Sequence, residues 1–208
     1  MAPIPASVLR QTGLRQGVNV GIRKPGRITP LEKSTVISFD DVASDTMIDT
    51  HYAGQGVTLA AVLAGTGTRG HVYARNSWNI DTAPNGVTLI DPSIATSFFD
   101  DATGCVEVRF ESPHSWVSID AMPLASPDDL RPITAKPYLD AYDAAGVRLG
   151  RVSYAPNHGD ALWGSWQRLR LDAAGAAIRS VRIGSQRDNG CPVYGLFDQL
   201  MFSNDHTG

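Results

Sequence analysis

The residues of this chain best suited to chemistry are carboxylates that sit among apolar neighbours. With Tyr194–Phe202 extended, alternation places Leu196, Asp198, Leu200 and Phe202 in one row and Phe197, Gln199 and Met201 in the other. The same conflict recurs near the start, where Ile37, Phe39 and Asp41 share a row and Asp40 faces the other way. A carboxylate buried bare costs several kcal/mol, so it is expected to be paired, hydrogen-bonded or bound to a metal. Calcium takes about six to eight oxygen ligands from carboxylates, carbonyls and water. Asp41 and Asp198, with Asp40 beside them, are therefore candidate metal ligands where the two ends of the domain meet. The alternative, of equal weight, is that they cap turns or accept from nearby backbone amides.

A second group of residues suits sugar recognition. Such sites lay a flat aromatic face against pyranose C–H groups and arrange polar side chains around it. Between two expected strands, the stretch Tyr154–Trp166 carries Asn157, His158, Asp160 and Trp163. Trp163 is the expected stacking surface, and the other three supply directional hydrogen bonds. The cluster Tyr73–Asn79 offers Arg75, Asn76 and Trp78 as a second candidate. A loop tryptophan is more often packed beneath its loop than set against a ligand. The polar residues beside each one carry the binding reading. Trp116 and Trp166 adjoin strands and read as packing residues.

Catalytic signatures are missing from the sequence: neither G-x-S-x-G nor H-E-x-x-H occurs. Glu107, Asp140 and Asp160 are available to a glycosidase-like carboxylate pair, but nothing in their spacing selects two of them. Glu107 and Arg109 share a strand face and suit cross-strand charge pairs. Asp45–Asp49 reads as a solvated turn. The chain reads as a non-enzyme.

Composition narrows the partners. The 208 residues, 42% hydrophobic and 19% charged, suffice for one β-rich domain with a sizeable core. A net charge of -3 gives no reason to expect nucleic acid or an anionic membrane. No apolar run approaches the roughly 20 residues that span a bilayer. Met1–Ser7 has neither the basic nor the apolar region of a secretory signal. That leaves the cytosol, a signal-independent exit and a longer secreted precursor all open. Cys105 and Cys191 match no zinc pattern. They pair in an oxidising compartment or, on the plainer reading, are two buried thiols.

The elements that must position these residues are strands. Residues 1–33 are basic, contain Gly and Pro, and show no sustained period, so they read as an extended or flexible arm. A functional version of that arm docks the module on a larger assembly. Residues 34–208 hold the folded domain. Short β-type runs alternate there with turn clusters such as Asn85-Gly86, Ala144-Ala145-Gly146 and Asp188-Asn189-Gly190. Val106, Val108 and Phe110 oppose Glu107 and Arg109, as a half-buried strand requires. The best helical stretch, Ser126–Leu130, is one turn at most. Roughly ten regularly spaced strands without helices indicate an antiparallel sandwich or barrel.

Several phrases, taken in order, resemble one family type. They are Ile37-Ser38-Phe39-Asp40-Asp41, Tyr52-Ala53-Gly54-Gln55-Gly56-Val57, Val106–Phe110 with Trp116–Ile119, Leu139–Gly146 and Phe197–Phe202. Their order and spacing resemble the galactose-binding-like and lectin-like jelly-roll modules of bacterial surface and secreted proteins, over about residues 34–203. The resemblance implies an all-β, two-sheet jelly-roll sandwich, often with a structural calcium where first and last strands meet. It also implies sugar binding through loops or a concave face, and an extracellular, cell-surface or virion setting. In such relatives the closing strand commonly carries two adjacent acids, whereas here Gln199 follows Asp198. The expectation is a non-catalytic, lectin-like carbohydrate-binding module. The alternative is a structural or assembly protein of a virion or cell surface, anchored through its N-terminal arm.

Overall fold

Alternation of apolar and polar side chains decides the strands. Val57, Leu59 and Ala61 are buried, while Thr58 between them is exposed. The structure is a computed structural model that describes residues 19–23, 33–64, 67, 69–76, 85–88, 104–123, 135–155, 166–190, 192–193 and 195–204. The strands begin with β1 (Asn19–Arg23), β2 (Ser34–Ile37), β3 (Thr46–Met47), β4 (Val57–Leu63) and β5 (Arg69–Gly70). They continue with β6 (Tyr73–Asn76), β7 (Asn85–Thr88), β8 (Gly104–His114), β9 (Trp116–Pro123) and β10 (Lys136–Tyr142). The last are β11 (Arg148–Ser153), β12 (Gln167–Asp172), β13 (Ile178–Gln186), β14 (Pro192–Val193) and β15 (Gly195–Ser203).

Two antiparallel sheets form from them. The first has the order β1-β12-β9-β15-β7-β6-β3, with β2 also on β15; the second has the order β11-β10-β13-β8-β4-β5, with β14 on β13. Their facing surfaces share one core, to which Ile119, Leu169, Phe197 and Leu200 contribute from one side and Val108, Leu139 and Val181 from the other. The chain is an all-β sandwich of two antiparallel sheets. Among the described residues, no helix is long and apolar enough to cross a membrane.

Near the N-terminus, Asn19–Arg23 is extended and pairs in register with β12, from Asn19 opposite Asp172 to Arg23 opposite Arg168. The turns at Gly146 and Gly190 are present, with φ of 75° and 80° at the two glycines. The carboxylate of Asp143 accepts from the amides of Ala145 and Val147 and fixes the first of them. Two local expectations need correction. Asn85-Gly86 lies inside β7, opposite Asn76 and Arg75 of β6, because strand pairing outweighs the local turn preference of that dipeptide. Asp45–Asp49 is not a free turn: Thr46 and Met47 pair with β6, and Ile48 is fully buried. Ser126–Leu130 lies outside the described residues.

Candidate functional site

The apolar row around Asp198 does not exist as alternation draws it. Pairing of β15 with β9 shifts between Asp198 and Met201, and Gln199 takes a left-handed φ of 47°. The extra residue of this bulge swaps the faces of the strand. Phe197, Leu200 and Phe202 all join the core, whereas Asp198 faces away from it. There Asp198 stands opposite Asp120, and Asp120 opposite Arg168, in a row across β15, β9 and β12. Arg168 donates through Nε to Asp120 at 2.6 Å and also pairs through Nη2. Asp198 accepts from the Gln199 amide at 2.7 Å. All three residues are buried.

Asp40 and Asp41 lie past the end of β2, after Phe39 turns the chain at φ 64°. That turn removes Asp41 from the apolar row: its side chain is 54% exposed. Asp41 accepts from the Tyr52 hydroxyl at 2.7 Å and faces His51 at 3.3 Å. Burial works to raise the Asp41 pKa, but these two partners hold it below the usual carboxylate value. Asp40 accepts from the Asn85 amide, while the Asn85 side chain donates to the carbonyls of Phe39 and Val42. The two ends of the domain do meet, since Ile37 pairs with Leu200. Yet each of the three acids faces a hydrogen-bond donor. Among the described residues, no group of three or more His, Cys, Asp or Glu side chains is placed to hold a metal ion. Hydrogen bonding to nearby donors is the arrangement these three acids show.

Of the expected sugar-contacting residues, Asn157, His158, Asp160, Trp163 and Trp78 lie outside the described residues. Tyr154, at the head of their stretch, is buried and donates its hydroxyl to the Ala121 carbonyl at 3.0 Å. Arg75 and Asn76 both lie on β6. Arg75 approaches Asp45 at 3.4 Å and is largely buried; Asn76 is exposed, and its amide donates to Ser44. Cys105 is a free, buried thiol whose pKa burial pushes up, and Cys191 is outside the described residues.

A denser constellation lies on the outer face of the second sheet. Register places Arg151, Asp140, Arg182 and Glu107 side by side on β11, β10, β13 and β8, with signs alternating. Arg151 grips Asp140 with two hydrogen bonds of 2.6 Å. Glu107 receives Arg109 at 2.6 Å, Arg182 at 3.1 and 3.2 Å, and Arg69 from β5 on the far side of β4. Burial pushes the Glu107 carboxyl upward, but those three guanidiniums bring it below its usual value. Tyrosines fill the adjacent rows. The Arg151 guanidinium lies 4.2 Å from the Tyr138 ring centre, and that of Arg182 lies 5.2 Å from Tyr142. Gly184 makes room for Tyr138: a Cβ there would stand 2.6 Å from the tyrosine hydroxyl.

Arg69, Arg148, Arg151, Arg182, Tyr138 and Tyr142 were not among the candidates read from sequence. Their signal was the outward row of each strand, such as Tyr138, Asp140 and Tyr142 on β10. It gains meaning only once the neighbouring strands are known.

No family model matches the chain. No curated protein matches it either. Among solved structures it is similar to the cleaved adhesin domain of Lys-gingipain from Porphyromonas gingivalis, at 13% identity and TM-score 0.37, covering 82% of this chain and 98% of that one. It is also similar to part of the Clostridium thermocellum endo-1,4-beta-D-xylanase 10B structure, CBM22-1 and GH10 modules complexed with xylohexaose. There the identity is 14% and the TM-score 0.29, over 74% of this chain and 26% of that chain. The third is the enzymatically active domain of bacteriophage CBA120 tailspike protein 4, at 9% identity and TM-score 0.31, over 80% and 21% of the two chains. The sandwich itself rests on the two sheets and their register.

Proposed function

We propose that this chain is a non-catalytic, lectin-like glycan-binding module whose binding surface is the outer face of the second sheet. One observation carries the reading. Five arginines and two tyrosines lie on five strands of that face, and four of the arginines are hydrogen-bonded to the buried carboxylates Glu107 and Asp140. Pre-set donors on rigid strands lose little entropy on binding and suit a hydroxyl-rich polymer lying across the sheet. The loop residues Trp163, His158, Asp160 and Asn157, and Trp78 with Arg75 and Asn76, remain candidates for further contacts. The proposed glycan face does not include Asp40, Asp41 or Asp198, which lie on or beside the first sheet and accept hydrogen bonds there. The rival assembly reading calls for an arm ordered on another chain, whereas Asn19–Arg23 pairs with β12 of its own chain.

The test is a polysaccharide and glycan array probed with the full chain, with calcium and with a chelator. Binding to at least one glycan class, equal under both conditions and without release of new reducing ends, is expected. A blank array would overturn the proposal.

A further inference from the structure

We propose that the outer face of the second sheet takes an acidic glycan, a polysaccharide whose sugars carry uronate carboxylates. This deepens the glycan-binding reading and rests on it. Five guanidiniums, of Arg69, Arg109, Arg148, Arg151 and Arg182, share the ladder with two carboxylates, although the whole chain carries a net charge of -3. The Glu107 and Asp140 side chains are only 5% and 4% exposed, while the arginines are 32% to 59% exposed. Glu107 and Asp140 therefore orient the cations from below, and with the exposed Glu111 on the same face of β8 the five guanidiniums still outnumber the carboxylates.

Donor capacity remains on that surface. Arg109 uses Nε on Glu107, and its two Nη groups have no hydrogen bond among the described residues. Arg148 comes no closer than 3.9 Å to Asp140. Meanwhile the guanidiniums of Arg151 and Arg182 cover one face of Tyr138 and of Tyr142, the kind of face on which a neutral pyranose would stack. Recognition then falls to fork-and-carboxylate pairing, the geometry Arg151 already makes with Asp140. Arginines stand on β11, β13, β8 and β5, so cations recur every one or two strands, roughly 5–10 Å apart. Such a series matches the repeating charge of a polymer better than a single small anion.

The experiment titrates the full chain with polygalacturonate, its methyl-esterified form, dextran sulfate and duplex DNA. Polygalacturonate is expected to bind, with affinity falling as salt rises, and esterification to weaken it at least tenfold. Arg109→Ala with Arg148→Ala should cost at least tenfold at an unchanged melting temperature, while Lys33→Ala, just before β2 of the other sheet, costs nothing. Should the double variant melt early, Arg148→Ala alone carries the comparison, and an affinity unchanged by it overturns the inference. Binding that ignores esterification leaves the glycan reading standing and removes the acidic one. Tighter binding of dextran sulfate or DNA than of polygalacturonate overturns it in favour of a sulfate or phosphate polymer. Failure to bind any glycan, here or on the array, removes both.

Discussion

Asp120, fully buried with Arg168 as its bidentate partner and Asp198 across the strand, shows how costly single residues are held in this fold. A buried pair adds little net stability over apolar residues of the same shape, but breaking it strands a charge in a medium of low polarity. Arg168→Met removes the cation and leaves two carboxylates facing each other on neighbouring strands. It is expected to destabilise the domain by about 3–5 kcal/mol in urea denaturation. A loss below about 1 kcal/mol would mean that other donors satisfy Asp120 in the variant. Arg109, on the other sheet, makes the opposite case. Its side chain is 59% exposed, and exposed pairs contribute about 0–1 kcal/mol, so it is free to be read as a binding residue.

Among the elements, β1 tests how far the N-terminal segment belongs to the sheet. It lies at the edge, and β12 behind it stays paired with β9 through Leu169 opposite Ile119 and Leu171 opposite Val117. Deleting residues 1–24 is therefore expected to leave a cooperatively unfolding domain. The β12 amides that β1 covers should then exchange faster with solvent, as those of an uncovered edge do. Hydrogen exchange read strand by strand checks this. Loss of cooperative unfolding would instead make β1 part of the core. The β15 bulge is the second lesson at this scale: one left-handed residue, Gln199, lets a single strand send Phe197, Leu200 and Phe202 all inward.

At the scale of the whole molecule, closure depends on contacts between distant parts of the chain. Ser34–Ile37 pairs with Leu200–Ser203, and His114 donates to the Ser203 carbonyl at 2.6 Å, so β15 ties β2, β7, β8 and β9 together. Truncation before Gly195 removes the strand between β9 and β7 and opens the core along its length. Such a chain is expected to show no cooperative thermal transition by circular dichroism. A retained transition would mean that the second sheet and its ladder fold without this closure.

The sequence by itself determined most of the strands, because alternation is a local signal. Val106, Val108 and Phe110 are buried on β8 as their alternation requires, and Glu107 and Arg109 do make a charge pair on the opposite face. It also marked Asp198 and Asp41 as acids needing partners. Their partners were not legible, since the Gln199 bulge and the positive φ at Phe39 break the period of two on which the rows were drawn. Asn85-Gly86 misled for a related reason: a local turn preference of a few tenths of a kcal/mol to about 1 yields to a full strand pairing. The arginine ladder was beyond the sequence altogether. Arg69, Arg109, Arg148, Arg151 and Arg182 are spread over more than a hundred residues, and only the order β11-β10-β13-β8-β4-β5 turns them into one surface. Strand order is set by packing the whole core, a nonlocal balance that no window of sequence contains.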